Sequence, residues 1–405
     1  MRGALGSHMD LRRRQRDWQP IIVWDFTTMS PGGIVMPTGM TFTRASSRHS
    51  VQIDANTLVT SGLATDVPAV GRLSSAHSLG LFVEPARTNL YGYSRTASVA
   101  PGTAGHSCTY TTGRTGPDGS TNAIRGQTPS GGYSRFQSLA AVTGAHTLSA
   151  WARAGLGSGA YQLVAAYSGT IGAAVQGTAG ADWSRVASAS FSYPAASVPN
   201  PNPWDGRANG TLGSAAAARD CDLDFIQFEA GLYPSSAIVT SAGATATRAG
   251  ERPGIDGTAA SSFLRNGRLG ICLELRMLAA RSEIESAGGT LLYWPQGDGT
   301  VFVDAATGYL YAYNVSPQSQ TANGAIDWAR YDKVVFAIEV GNGRTSLRWR
   351  TNGGSVSTAN FSVHDDSLAA IDTSGGIDVC NALGGFQMPC IVEKIIPFVP
   401  GRAPF

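Results

Sequence analysis

Two groups of aromatic residues have the types and spacing for ligand recognition. Val198 to Gly210, VPNPNPWDGRANG, is a proline- and asparagine-rich stretch carrying Trp204. An indole offers a flat apolar face on which the C–H face of a sugar ring can lie, while nearby polar groups bond its hydroxyls. Asn200, Asn202, Asp205 and Arg207 are those neighbours, and the prolines limit the entropy lost on binding. An indole folded back to plug the end of a β-sandwich is the equal alternative for Trp204. The second group is Tyr309, Tyr311 and Tyr313, which alternate and so share one face of a strand, with Leu310 and Ala312 on the other. Trp294 lies upstream of them. A buried tyrosine hydroxyl needs a partner, so an exposed binding face or a subunit interface is favoured over plain core. Trp151, Trp183, Trp328 and Trp349 lie in strong strand patterns and are expected in the core.

The catalytic patterns are weaker. Ala76-His77-Ser78-Leu79-Gly80 approximates the G-x-S-x-G nucleophile elbow, but Ala replaces the first Gly. A strand-like run follows where the elbow needs a helix. The histidines His49, His77, His106, His146 and His364 are scattered, and no HExxH pair occurs. Asp220, Asp222 and Asp224 alternate, so on a strand their carboxylates share a face. Three such charges want a cation or a basic partner. Calcium would suit them, but the Gly and closing Glu of a loop site are missing. Solvated carboxylates near an arginine such as Arg219 are preferred. Glu84, Glu229, Glu274, Glu283, Glu285, Glu339 and Glu393 could in principle supply a glycosidase pair, which needs a set separation that sequence does not reveal. No catalytic residue, metal or cofactor is expected.

The elements that must position these groups are short strands. The chain has 405 residues, with 42% hydrophobic and only 14% charged residues and 50 glycines, which favours many turns over long helices. A net charge of +2 argues against a nucleic-acid binder, and the basic run Arg12–Arg16 reads as a solvated arm or assembly contact. Met1 to Met9, MRGALGSHM, has the look of a vector-encoded leader. No run is long and apolar enough to span a membrane. The five cysteines have no CxxC spacing and are expected as free buried thiols. Cys380 and Cys390 could pair only with Cα atoms within about 7 Å.

Strands are expected in a first segment, 10–95, at Ile21–Phe26, Gly39–Arg44 and Leu79–Pro85. A second segment, 96–250, carries them at Thr147–Arg153, Tyr161–Tyr167, Trp183–Phe191 and Cys221–Glu229. In the last of these, alternation puts Leu223, Phe225 and Glu229 on one face and Asp222, Asp224, Ile226 and Phe228 on the other. The Ser/Ala/Thr/Gly-rich stretch 235–262 reads as a connector. A third segment, 251–405, shows strands at Leu269–Met277, Thr290–Trp294, Thr300–Val303, Gly308–Val315, Lys333–Val340, Thr345–Arg350 and Cys390–Phe398. Asn342-Gly343 between the last KVVFAIEV and RTSLRWR patterns is the strongest hairpin signal. The one helical stretch considered is Leu275 to Ser286.

Several strings resemble a recurrent pattern of phage tail-fibre and head-spike proteins, including gene-transfer-agent spikes. They are DFTT at Asp25–Thr28, TFTRASS at Thr41–Ser47, LGLFVEPARTNL at Leu79–Leu90, PDGSTNA at Pro117–Ala123, LSAWARAG at Leu148–Gly155 and DFIQFEAGLYPSSAIVTSAGATATRAGE at Asp224–Glu251. They keep the family's order across roughly residues 20–250. The resemblance implies a virion or phage-like particle component, assembled in a bacterial cytoplasm, that recognises a capsule or lipopolysaccharide glycan. It implies a carbohydrate-binding-module-like jelly roll for the middle segment. The third segment looks like a concanavalin- or laminin-G-like sandwich. Glu84 and Glu229 lie in strings that the resemblance covers, which implies a scaffold role for both.

The expectation is thus an all-β protein of two antiparallel β-sandwich domains, with an N-terminal β-rich segment standing alone or joining the first. It is expected to be a non-enzymatic homo-oligomer that binds surface polysaccharide and other particle proteins, but neither nucleic acid nor membrane. The candidate residues are Trp204, Asn202, Asp205, Arg207, Trp294, Tyr309, Tyr311 and Tyr313. A structural connector without a glycan site is the second reading, and a depolymerase the third.

Overall fold

Runs of β-branched and aromatic residues broken by Gly, Pro and Asn do fold as short antiparallel strands. The computed structural model describes residues 22–47, 63–72, 76–95, 107–134, 138–210, 212–241, 243–284, 288–297, 299–313, 319–320, 325–341, 346–360, 371–381, 387–401 and 403. The basic run Arg12–Arg16, the Asn342-Gly343 turn, Glu285, His49, His106 and His364 lie outside them.

The chain forms two compact units, each assembled from separate stretches. One comprises Met1–Arg44, Ser78–Pro85 and Glu251–Phe405; the other comprises Ala45–His77 and Ala86–Gly250. The expected N-terminal segment 10–95 is therefore divided between them. Its strands take partners from distant parts of the chain, which local pattern does not reveal. Met40–Thr43 pairs with Arg252–Ile255 and Gly80–Val83 with Cys390–Pro397, whereas Arg87–Asn89 pairs with Arg219–Ala230 and Ala246–Arg248.

In the first unit, one sheet orders Gly80–Val83, Cys390–Pro397, Leu269–Met277, Lys333–Val340, Ser346–Thr351 and Ser357–Asn360. The other orders Ser319–Gln320, Leu310–Tyr313, Gly299–Asp304, Gly288–Trp294, Ile377–Val379, Arg252–Ile255 and Met40–Thr43. Leu269, Ile271, Leu273, Leu275 and Met277 are fully buried at alternate positions of one strand. Cys272, from the opposite face, packs with Val335, Ala337, Ile396 and Phe398. Lys333 bridges Glu274 and Glu393 at 2.7 and 2.9 Å, so the polar residues among these strands neutralise one another.

The second unit has jelly-roll, β-sandwich character. Its larger sheet runs Ser184–Ala187, Val142–Arg153, Arg219–Ala230, Arg87–Asn89 and Ala246–Arg248, with Ala123–Thr128, Thr109–Arg114 and Phe191–Ser197 added at its margins. A smaller sheet orders Thr170–Thr178, Ala160–Tyr167 and Asn200–Asn202. Leu148, Ala150, Ala152, Cys221, Leu223 and Phe228 of the larger sheet share a core with Leu163, Ala165 and Ala173 of the smaller one.

Two expectations fail here. The stretch 235–262 is more than a connector. It contains the strands Ala246–Arg248 and Arg252–Ile255 and a helix Gly257–Phe263. Asp256 caps that helix by accepting from the Ala259 amide at 2.9 Å, and Ala260 and Phe263 are buried. The described part of the Leu275–Ser286 stretch, up to Ile284, contains no α-helix. Leu275 completes a strand, and only a single 3₁₀ turn, Arg281–Glu283, follows among the described residues. All five cysteines are free, and all but Cys108 are buried.

Candidate binding cleft

The strand Arg219–Ala230 organises the second unit's larger sheet. It is covered on both sides, and its register breaks between Asp224 and Gln227, where Phe225 adopts a left-handed φ of 47°. This bulge adds one residue and reverses the alternation. Before it Cys221 and Leu223 enter the inter-sheet core; after it Ile226 and Phe228 do. Phe225 instead joins Ala123, Trp151, Trp183 and Ala237 in a separate cluster. The expected grouping of Leu223 with Phe225, and of Phe228 with the aspartates, is therefore corrected.

Asp220, Asp222 and Asp224 precede the bulge, and each meets guanidinium groups. Arg125 donates to both oxygens of Asp220 at 2.7 and 2.8 Å. Arg153 donates through Nε and Nη2 to Asp222 Oδ2 at 3.1 and 3.0 Å, with Arg114 Nε 3.5 Å from the same oxygen. Arg95 grips Asp224 at 3.2 and 3.1 Å and stacks over the Phe225 ring at 4.1 Å. Arginines balance all three carboxylates. Among the described residues no cluster of His, Cys, Asp or Glu could hold a metal. Arg219 is not the partner: it donates to the Asp205 carbonyl and to Gln162 Oε1. Burial pushes the Asp224 carboxyl up to about 6 despite the opposing pull of Arg95.

Arg95 also pairs with Asp118, which belongs to a tight turn. Gly116-Pro117-Asp118-Gly119 closes with the Gly119 amide donating to the Gly116 carbonyl at 3.1 Å. Pro at the second position and Gly at the fourth suit a type I turn. Asp118 Oδ1 accepts from the Ser120 amide at 3.0 Å and its hydroxyl at 2.7 Å. A Cβ at 116 would collide with Asp224 Oδ2, so only glycine lets the turn settle onto the strand.

Beside this turn lies a cleft of about 400 Å³, lined by Gly116, Pro117, Asp118, Gly119, Arg153, Ala181, Asp182 and Trp183. Arg153 lies over the Trp183 ring at 4.7 Å. Two of its three guanidinium nitrogens face Asp222, leaving Nη1 as an unengaged donor. Asp182 is exposed and makes no hydrogen bond or ion pair among the described residues. Trp183 is buried, and its Nε1–H has no acceptor there. The cleft therefore offers a free carboxylate, a positioned cation and an aromatic wall, a combination suited to hydroxyl-rich ligands. The sequence pattern places Trp183 in the core, as its burial with Trp151 and Phe225 bears out, but gives no notice of Asp182. The adjacent Asp-Trp pair was the available signal.

The residues expected to bind are mostly elsewhere engaged. Trp204 is fully buried, donating from Nε1 to the Cys221 carbonyl at 3.1 Å and meeting Tyr110 edge-on at 5.7 Å between ring centroids. It is the plug and not the platform. Part of its proline-rich loop, Asn200–Asn202, is an edge strand paired with Ala160–Tyr167, which draws the following indole inward. Asn202 and Asp205 are buried too. Asp205 clasps Arg207, which remains 41% exposed and lies over Tyr133 at 4.2 Å.

Trp294 is likewise buried, filling the space a side chain at Gly299 would need. Gly299→Ala should cost about 1–3 kcal/mol through overpacking, read as a lower denaturation midpoint. Of the tyrosines, Tyr309 is exposed, and Tyr311 is half-buried and stacks on its cross-strand neighbour Phe302 at 5.1 Å. Leu310 and Ala312 are buried, as the alternation requires. For Tyr313 the backbone is paired with Thr300.

Ser78 precedes the strand Gly80–Val83, so the strand–turn–helix of a nucleophile elbow does not form. The described glutamates are held in pairs or networks: Glu274 and Glu393 by Lys333, Glu283 by Arg330, Glu339 by Arg268 and Glu229 by Ser235. Glu84 donates its amide to Glu251, which pairs with Arg44.

No protein-family model matches the chain, and no curated protein does.

Proposed function

We propose that this protein is a spike or fibre subunit of a phage or phage-like particle, binding surface polysaccharide non-covalently through the residue 86–250 sandwich. The observation that carries the binding site is the cleft beside Trp183, where the Asp182 carboxylate and the Arg153 Nη1 donor are both unengaged. A carboxylate accepts from two hydroxyls and a guanidinium donates to ring or hydroxyl oxygens, which is the polar half of sugar recognition. The particle role rests on the strings shared with tail-fibre and head-spike proteins. A single shallow site of this kind binds weakly, and display in many copies multiplies avidity. Capsule or lipopolysaccharide is the proposed partner, together with further copies of this chain and other particle proteins.

Asp182→Ala provides the test. The residue is exposed, so its loss should change stability by no more than about 0.5 kcal/mol. Binding to an array of purified capsular polysaccharides and lipopolysaccharides should fall at least about tenfold, the scale of one lost charge-assisted hydrogen bond. Unchanged binding by a fully folded variant would remove the cleft from the reading. Sugar release from the same polysaccharides would favour a depolymerase instead.

A further inference from the structure

Resting on that glycan reading, we infer that the cleft selects uncharged or amino-bearing sugars and rejects uronate-bearing ones. The argument is one of charge. The cations near the cleft are already matched by carboxylates. Arg95 lies between Asp118 and Asp224, and Arg114 and Arg153 converge on Asp222. These three guanidinium groups offset the three carboxylates they touch. Asp182, on the cleft lining, has no such partner among the described residues.

The remaining charge presented to a ligand is therefore negative. A sugar hydroxyl or ammonium group can donate to Asp182, and hydroxyl and ring oxygens can accept from Arg153 Nη1. A uronate carboxylate would face Asp182 with a like charge. It would also have to compete with Asp222 for Arg153, whose Nε and Nη2 already bond that buried carboxylate at 3.1 and 3.0 Å. Like charges brought together at a binding surface suppress the wrong partner more than they change the affinity of the right one. The walls add shape without charge: Pro117, Gly119 and Ala181 leave room for a ring.

The experiment uses the full chain and a panel of purified bacterial polysaccharides: neutral, amino-sugar-containing and uronate-containing, the last also in carboxyl-reduced form. Neutral and amino-sugar polymers should bind. Each uronate polymer should bind at least about tenfold more weakly than its carboxyl-reduced form at low salt, with the gap narrowing as salt screens the charges. Asp182→Asn should shrink that gap to within about threefold by removing the like charge. Equal binding of uronate and reduced forms by the unaltered protein would overturn the charge selection while leaving glycan binding intact. Binding to none of the polymers would overturn the glycan reading itself, and this inference with it.

Discussion

Replacing Trp204 by alanine is expected to destabilise the residue 86–250 unit by about 3–5 kcal/mol, the range for deleting a large buried aromatic side chain. The indole is fully buried in the core shared by the two sheets. Its Nε1–H satisfies the Cys221 carbonyl at 3.1 Å, which alanine would leave without that donor inside the protein. The Trp204 amide donates to Ser134 Oγ at 3.0 Å, and Thr128 Oγ1 donates to its carbonyl at 3.1 Å, so the backbone is clamped on both sides. It cannot readily shift to fill the void. A Cβ at Gly126 would strike the indole, which shows how closely the opposing strand approaches. Urea denaturation should show a lower midpoint with an unchanged slope. Polysaccharide binding by the still-folded fraction should match that of the parent. A variant of full stability that loses binding would restore Trp204 as a surface platform.

Arg95→Ala should cost about 3–5 kcal/mol at pH 8, because it leaves a buried carboxylate without its cation. The Asp224 side chain is wholly buried and that of Arg95 is 12% exposed, so solvent offers little compensation. The loss should shrink towards pH 5. Burial raises the folded-state value of Asp224 to about 6 even with Arg95 present, above the roughly 3.9 of an unfolded aspartate. The folded protein thus takes up this proton first on acidification. By itself the group stabilises the fold as pH falls from about 6 towards 4, and loses that contribution as pH rises through 6. Removing the opposing cation moves the carboxyl further up and widens this window. Asp118 has the opposite sign. Burial raises its carboxyl, but hydrogen bonds from Arg95 and Ser120 outweigh that and hold it below 3.8, so its contribution is lost only under stronger acid. Urea midpoints for both proteins at pH 8 and pH 5 would test the coupling. An equal loss at the two pH values would count against a protonating Asp224.

The strings that resemble spike and fibre proteins prove to be rich in buried polar residues. Asn89 of ARTNL donates to the Ile226 and Ile238 carbonyls and accepts from the Tyr91 and Phe228 amides. Glu229 accepts from the amide and hydroxyl of Ser235 at 2.8 and 2.6 Å, tying FEAGLYPSS into a closed loop. Arg153 of LSAWARAG holds Asp222. Arg44 of TFTRASS pairs with Glu251 at 3.1 Å, with both side chains fully buried. Such groups are costly to leave unpaired, so they define a scaffold. The glycan recognition proposed above draws instead on groups this scaffold leaves unengaged, the Asp182 carboxylate and Arg153 Nη1.

By itself the sequence established the all-β class, most strand positions in 251–405, the shared face of Asp220, Asp222 and Asp224, and the burial of Leu310 and Ala312 beside the tyrosines. These follow from turn chemistry and two-residue periodicity, both local properties. Tertiary structure alone decided three matters. Segment 10–95 was divided because strand partners are chosen by long-range pairing. The faces of Phe225, Ile226 and Phe228 were set by a bulge that alternation cannot foresee. The fate of Trp204 depended on whether an edge strand carried its loop outward or inward, and the inward course buried the indole. Asp182 stands apart for the same reason: Asp118, Asp220, Asp222 and Asp224 each meet an arginine brought in from elsewhere in the chain, and Asp182 meets none among the described residues.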